Sequence, residues 1–166
     1  MDFLLRKTGG LFAFFAKDYE LLHDGSACCT LSFYDWKHVE FLIGGNRYVI
    51  RSDGKAGWVL EQSRRNVAFC KRYASGPQLE FSINFDDRVW HFKPHRKKLI
   101  LTHDIWEGEL KIGQTTPHIG FWWPEVGATF RQAPRLELAV FAVWLIGIHW
   151  VAVAGKLTAA RAAIGI

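Results

Sequence analysis

LAVFAVWLIGIHWVAVAG, residues 138–155, is the stretch whose reading decides the fold. It is apolar almost throughout, with His149 as the polar interruption, and its Ala and Leu content suits a helix. At about 1.5 Å per residue it spans roughly 27 Å, close to the thickness of a bilayer core. Two readings follow. As a membrane span it would tether a β domain, with Arg131 and Arg135 on one side and Lys156 and Arg161 on the other, flanks that give no clear orientation. As a buried element it would need cover on every side, because a surface helix carries a polar face and this one does not.

The preceding residues supply that cover. From Asp18 to Gln132 the chain alternates apolar and polar positions, most cleanly at Gln78–Asn84, where Leu79, Phe81 and Ile83 fall on one face and Gln78, Glu80, Ser82 and Asn84 on the other. Turn signals break the pattern at Asp24-Gly25, Gly44-Gly45-Asn46, Asp53-Gly54, Ser63-Arg64-Arg65-Asn66, Gly76-Pro77, Asp86-Asp87, Lys93-Pro94 and Gly113-Gln114. The spacing predicts about twelve strands, near 18–23, 26–33, 38–43, 46–52, 57–62, 65–72, 78–84, 87–93, 97–103, 107–112, 117–122 and 126–132. So many strands enclose more volume than their own side chains fill, so the barrel needs a plug. Strands of this length make a barrel about as tall as the helix is long, at roughly 3.3 Å per residue. The expected fold is all-β, a closed antiparallel barrel of about twelve strands threaded by one hydrophobic C-terminal helix. It forms a single domain over 1–166, with 1–17 as a lead-in, 18–132 as barrel, 136–155 as central helix and 156–166 as a tail.

Composition agrees. Eight Trp and thirteen Phe favour strands, and the single Met disfavours a helical bundle. Three cysteines, Cys28, Cys29 and Cys70, are an odd number without metal-site spacing, and read as reduced, half-buried strand residues. Arg6 and Lys7 precede an apolar run at Leu11–Ala16 that is too short for a secretory leader, so the expected location is cytoplasmic.

On this architecture, on Asp53-Gly54-Lys55-Ala56-Gly57-Trp58-Val59-Leu60 as a turn into an aromatic strand, and on Trp90-His91-Phe92 and Glu109-Leu110-Lys111-Ile112-Gly113, the chain resembles the tubby C-terminal-like superfamily. That superfamily takes in tubby domains, phospholipid scramblases and LURP-one-related proteins. The resemblance implies a helix inside the barrel and contact with membrane phospholipid. The scramblases' acidic calcium-loop pattern is missing, so scramblase activity is not implied, and no local motif matches the tubby pocket, so no ligand residue carries over.

No catalytic apparatus is identifiable. His91 and His95 have a helical metal-ligand spacing, but Pro94 and the strand pattern remove the helix. Glu107, Glu109 and Lys111 share a predicted strand face that reads as solvated rather than as a carboxylate pair. No serine sits in a nucleophile elbow, and no phosphate-cradling Gly motif precedes a helix. His149 reads as a neutral imidazole hydrogen-bonded inside the barrel. No cofactor, metal or nucleic-acid partner is expected.

In an up-and-down meander alternate connections share an end. One end would then collect Lys37, Lys55, Lys71, Arg72, Lys93, Arg96, Lys97, Lys98, Arg131 and Arg135 against Asp35 and Asp53, with Tyr34, Trp36 and Tyr73 among them. The other would collect Asp24, Glu61, Asp86, Asp87, Asp104, Glu107 and Glu125 against Arg47, Arg64, Arg65 and Arg88. Aromatics beside basic residues suit a membrane interface. The candidate site for an anionic phospholipid or other anionic ligand is therefore Lys71, Arg72, Lys93, Arg96, Lys97, Lys98 and Arg135. The expected function is a non-catalytic, membrane-peripheral barrel. The alternatives are a structural or regulatory protein without a lipid role and a tail-anchored protein with a soluble β domain.

Overall fold

A computed structural model describes residues 1–8, 18–35, 37–54, 57–73, 80–95, 102–119 and 124–163, with the backbone alone for 33–35, 117–119, 124 and 150–163. Twelve strands precede one helix: β1 (Asp2–Lys7), β2 (Asp18–His23), β3 (Ser26–Asp35), β4 (His38–Ile43), β5 (Asn46–Ser52), β6 (Trp58–Gln62), β7 (Arg65–Arg72), β8 (Phe81–Phe85), β9 (Arg88–Pro94), β10 (His103–Glu107), β11 (Leu110–Ile119), β12 (Pro124–Phe130) and α1 (Leu136–Ala163). Each strand pairs antiparallel with its neighbours in sequence, and β1 pairs with β12, which closes an up-and-down barrel. Alternation sorts the faces. Val39 and Phe41 of β4, Phe81, Ile83 and Phe85 of β8, and Trp90 and Phe92 of β9 point inward and are buried.

The strand number matches expectation through two errors that cancel. Residues 2–7, expected to be a lead-in, form the closing strand β1, with Phe3 and Leu5 buried and Asp2 and Arg6 exposed. The strands expected at 97–103, 107–112 and 117–122 are two, β10 and β11, and positions 96–101 and 120–123 lie outside the described residues. Gly113-Gln114 is no turn. Gly113 sits mid-strand, where a Cβ would stand 2.6 Å from the Thr129 carbonyl oxygen of β12, so glycine serves the close approach of two backbones. The turn falls instead at Gly108-Glu109, with Gly108 at φ +58°. The helix outruns the expected 136–155 and takes in much of the expected tail, because Leu157–Ala163 is rich in strong helix formers.

The two ends of the barrel differ. At one, every hairpin is a two-residue turn: Asp24-Gly25, Gly44-Gly45, Ser63-Arg64, Asp86-Asp87 and Gly108-Glu109. The first three have positive φ at both residues, as type I′ turns require. At the other end fall the joins β1–β2, β3–β4, β5–β6, β7–β8, β9–β10 and β11–β12, most of them longer. The helix enters at the tight-turn end. Arg135 caps it, its carbonyl accepting from the N–H groups of Leu138 and Ala139. Trp144 meets Tyr19 edge-on at 5.9 Å, and a Cβ at Gly147 would touch Leu5 and Val126, residues near the long-connection ends of β1 and β12. The helix therefore runs through the barrel from the tight end toward the long one. Leu138–Ile146, two and a half turns covering the full circumference, are none more than 6% exposed. This places the segment inside the barrel, and among the described residues no helix is long and apolar enough to cross a membrane.

Candidate anion-binding end

At the long-connection end, β7 delivers Lys71 and Arg72 and β9 delivers Lys93, all exposed. Lys71 and Lys93 alternate out of the wall because Cys70 and Phe92 alternate in. The Lys71 ammonium lies 5.5 Å from the centre of the Tyr73 ring, and the Tyr73 hydroxyl is within 3.1 Å of Ser82 Oγ on the intervening β8. Tyr73 thus covers Ser82, which is fully buried although it faces outward. Two strand spacings, roughly 10 Å, separate Lys71 from β9. Lys37, also exposed, lies before β4 at the same end. There too, Asp53 Oδ1 accepts the Gly57 N–H at 2.9 Å and ties the turn into β6.

Carboxylates interrupt this surface. Asp104, expected at the opposite end, stands in register with Lys93. Burial works against its charge, but Lys111 Nζ at 2.5 Å and His95 Nδ1 at 2.9 Å outweigh burial and hold the carboxyl below the usual range. Glu125, also expected at the far end, begins β12 at this one. Reading three strands where two exist between 97 and 122 sends Asp104, Glu125 and the residues after β12 to the wrong end.

The same slip misplaces Arg131 and Arg135, which lie at the tight-turn end. Arg135 is committed there: its Nε donates to Glu137 Oε1 at 2.7 Å and its Nη1 to Asp86 Oδ2 at 3.0 Å. Glu137, buried in the first helical turn, complements the helix dipole there, and burial and then this carboxylate push the Tyr48 phenol up. This network seats the helix in the barrel mouth. Arg96, Lys97 and Lys98 lie outside the described residues; the chain leaves at His95 and returns at Thr102, joined by an N–H···O bond of 2.8 Å at the long-connection end. The structure therefore brings Lys71, Arg72 and Lys93 together and separates Arg135 from them.

Of the residues considered for catalysis, Glu107, Lys111 and His95 have structural partners. Glu107 ends β10 in a bidentate pair with Arg88, while Glu109 sits in the turn beyond, so the two do not share a strand face. His95 binds Asp104. Among the described residues no group of three or more His, Cys, Asp or Glu could hold a metal. His103, not singled out in the sequence, is fully buried in β10, its backbone N–H donating to Thr115 Oγ1 at 2.9 Å.

Fold and site together define a class: a closed, twelve-stranded meander barrel around an apolar helix, with its long connections gathered at one end. No protein-family model, curated protein or solved structure matches the chain.

Proposed function

We propose that this is a non-catalytic barrel of the tubby-like kind that rests its long-connection end on an anionic phospholipid surface, as a peripheral protein on the cytoplasmic side. The observation that carries the reading is a cluster: Lys71, Arg72 and Lys93 stand exposed together at the long-connection end, with Lys37 exposed at the same end. The connecting sequences add Lys17, Lys55, Arg96, Lys97 and Lys98, against Asp53 and Glu80. Beyond Gly147 the helix continues toward the same end for roughly 24 Å, carrying Lys156 and Arg161 in its sequence. A basic residue next to an acidic leaflet contributes about 1 kcal/mol, so several together give measurable, salt-sensitive association.

The test is sedimentation of the full chain with vesicles of phosphatidylcholine alone or with phosphatidylserine added. Binding is expected to the mixed vesicles only and to fall as salt rises. Replacing Lys71, Arg72 and Lys93 with Gln should weaken it about tenfold or more, as should Gln at Arg96, Lys97 and Lys98. Gln at Arg64 and Arg65, at the tight-turn end, should leave it nearly intact. Equal sedimentation with both vesicle types, or equal loss from both ends, would overturn the reading.

A further inference from the structure

Away from the basic end, β2 and β3 pair with one irregularity: Leu21 faces Cys29 and Leu22 faces Ala27, so Cys28 is an extra residue in a bulge. In a regular strand two adjacent side chains point to opposite faces. Here the inserted residue breaks the alternation. Cys29 shares the inward face of its partner Leu21, which is fully buried, and Cys28 packs against the same core. Cys28 Sγ donates at 3.2 Å to the carbonyl of Leu21, the residue that Cys29 faces across the ladder. Both remain partly exposed, whereas Cys70 is buried in β7. The bulge has thus set two adjacent cysteines against the same core while leaving both within reach of solvent.

We propose that Cys28 and Cys29 form a vicinal dithiol site that captures trivalent arsenicals as a cyclic dithioarsenite. Arsenic(III) is pyramidal and binds two sulfurs close together on one side, which matches adjacent cysteines that a bulge turns toward one core. A tetrahedral zinc ion would need further ligands, and no larger cluster exists among the described residues. With an organoarsenic oxide, two As–S bonds form while two S–H bonds and the As=O bond break. The two protons leave with the oxygen as one water, and arsenic stays trivalent, so no oxidant enters. Burial, followed by the neighbouring Cys28, pushes the Cys29 thiol up to about 12, and burial raises Cys28 as well. Thiolate is therefore scarce and one-point alkylation slow. Arsenical capture, which carries the protons away in water, needs no standing thiolate.

The test is titration of the native full chain with phenylarsine oxide, read by intact mass. One phenylarsenic group per chain is expected, resistant to excess monothiol and released by 2,3-dimercaptopropanol, while iodoacetamide labels the same cysteines slowly. Closing the second bond is intramolecular, so Cys28→Ser and Cys29→Ser should each weaken capture by about 10²-fold or more, and Cys70→Ser should leave it unchanged. The decisive variant is Ala27→Cys with Cys28→Ala. It keeps two near cysteines but puts one beside Leu22 on the opposite face, so it should capture the arsenical when unfolded in urea and fail to when folded. Circular dichroism establishes that each variant is folded, and Cys28→Ala replaces any serine variant that is not. No uptake by the native protein, uptake only in urea, or equal uptake by the displaced pair would overturn the proposal.

Discussion

At Gly113 the barrel wall leaves no room for a methyl group. The obstacle is the Thr129 carbonyl oxygen, a backbone atom fixed in the β11–β12 ladder, with Ile105 and Phe130 side chains at 3.3 Å on other sides. A side chain could swing away; a ladder carbonyl moves only with its strand. Gly113→Ala should therefore destabilise the protein by about 1–3 kcal/mol, the usual cost of overpacking, read as a lower urea midpoint with an unchanged slope. A glycine at a turn would behave differently: at Gly108 nothing stands within 4 Å of a Cβ, and the cost there comes from its left-handed φ. The sequence cannot distinguish these uses of glycine, because both read as a break in an apolar run. That ambiguity produced the false turn at Gly113-Gln114.

Strands show more plainly what was legible. Where an alternating run ends in Asp-Gly, Gly-Gly or Asp-Asp, as from β2 to β5 and around β8 and β9, the expected and observed boundaries differ by at most a few residues. Where a strand itself carries a bulge, as β11 does with Ile112 between the Gly113 and Lys111 pairings, local periodicity breaks and one strand reads as two. β1 was legible in Phe3 and Leu5, but six residues ahead of an apolar run resemble a lead-in until the barrel needs a closing strand. Of the candidate site, Lys71, Arg72 and Lys93 were readable because their strands were. Arg135 was not, because its end depends on counting every strand before it. Charge pairs across neighbouring strands were also beyond reach, and one predicts a pH dependence. Arg88 of β9 grips Glu107 of β10 and, with burial opposing it, holds that carboxyl below its usual range. A carboxylate with a depressed folded pKa adds stability that is present above its unfolded pKa and lost as pH falls through the folded one. Glu107→Gln should thus cost up to about 1 kcal/mol near neutral pH, since the pair is partly exposed, and the gap to the wild type should close on acidification below about pH 4. Denaturation curves at a series of pH values measure it, and a gap constant with pH would show that the pair contributes no charge-dependent stability.

At the scale of the whole molecule, barrel and helix each solve the other's problem. The helix has no polar face to show to water, and the barrel's inward ring of Leu21, Ile50, Leu60, Ile83, Phe92 and Ile105 has nothing to pack against without it. Fully burying one large apolar side chain contributes about 1.5–3 kcal/mol. Val140, Phe141, Val143, Trp144, Leu145 and Ile146 are all buried, so their joint loss is as large as the whole net stability of an ordinary domain, about 5–15 kcal/mol. A chain ending at Pro134 keeps every strand and every turn, yet it should not hold the barrel. It should aggregate, or remain as an expanded species that binds a hydrophobic dye and unfolds without cooperativity. Val143→Asp should do the same in the full chain, because Val143 is fully buried midway through the packed stretch and a carboxylate there has no partner. The truncation decides more, since it removes the helix without adding a charge. If residues 1–134 gave a monomeric, cooperatively melting protein, the strands alone would suffice and the helix would be a passenger. If the fragment recovered cooperative melting when a peptide of residues 135–163 was added, the barrel would be shown to assemble around its helix, and the apolar stretch at 138–155 to be the core on which the twelve strands close.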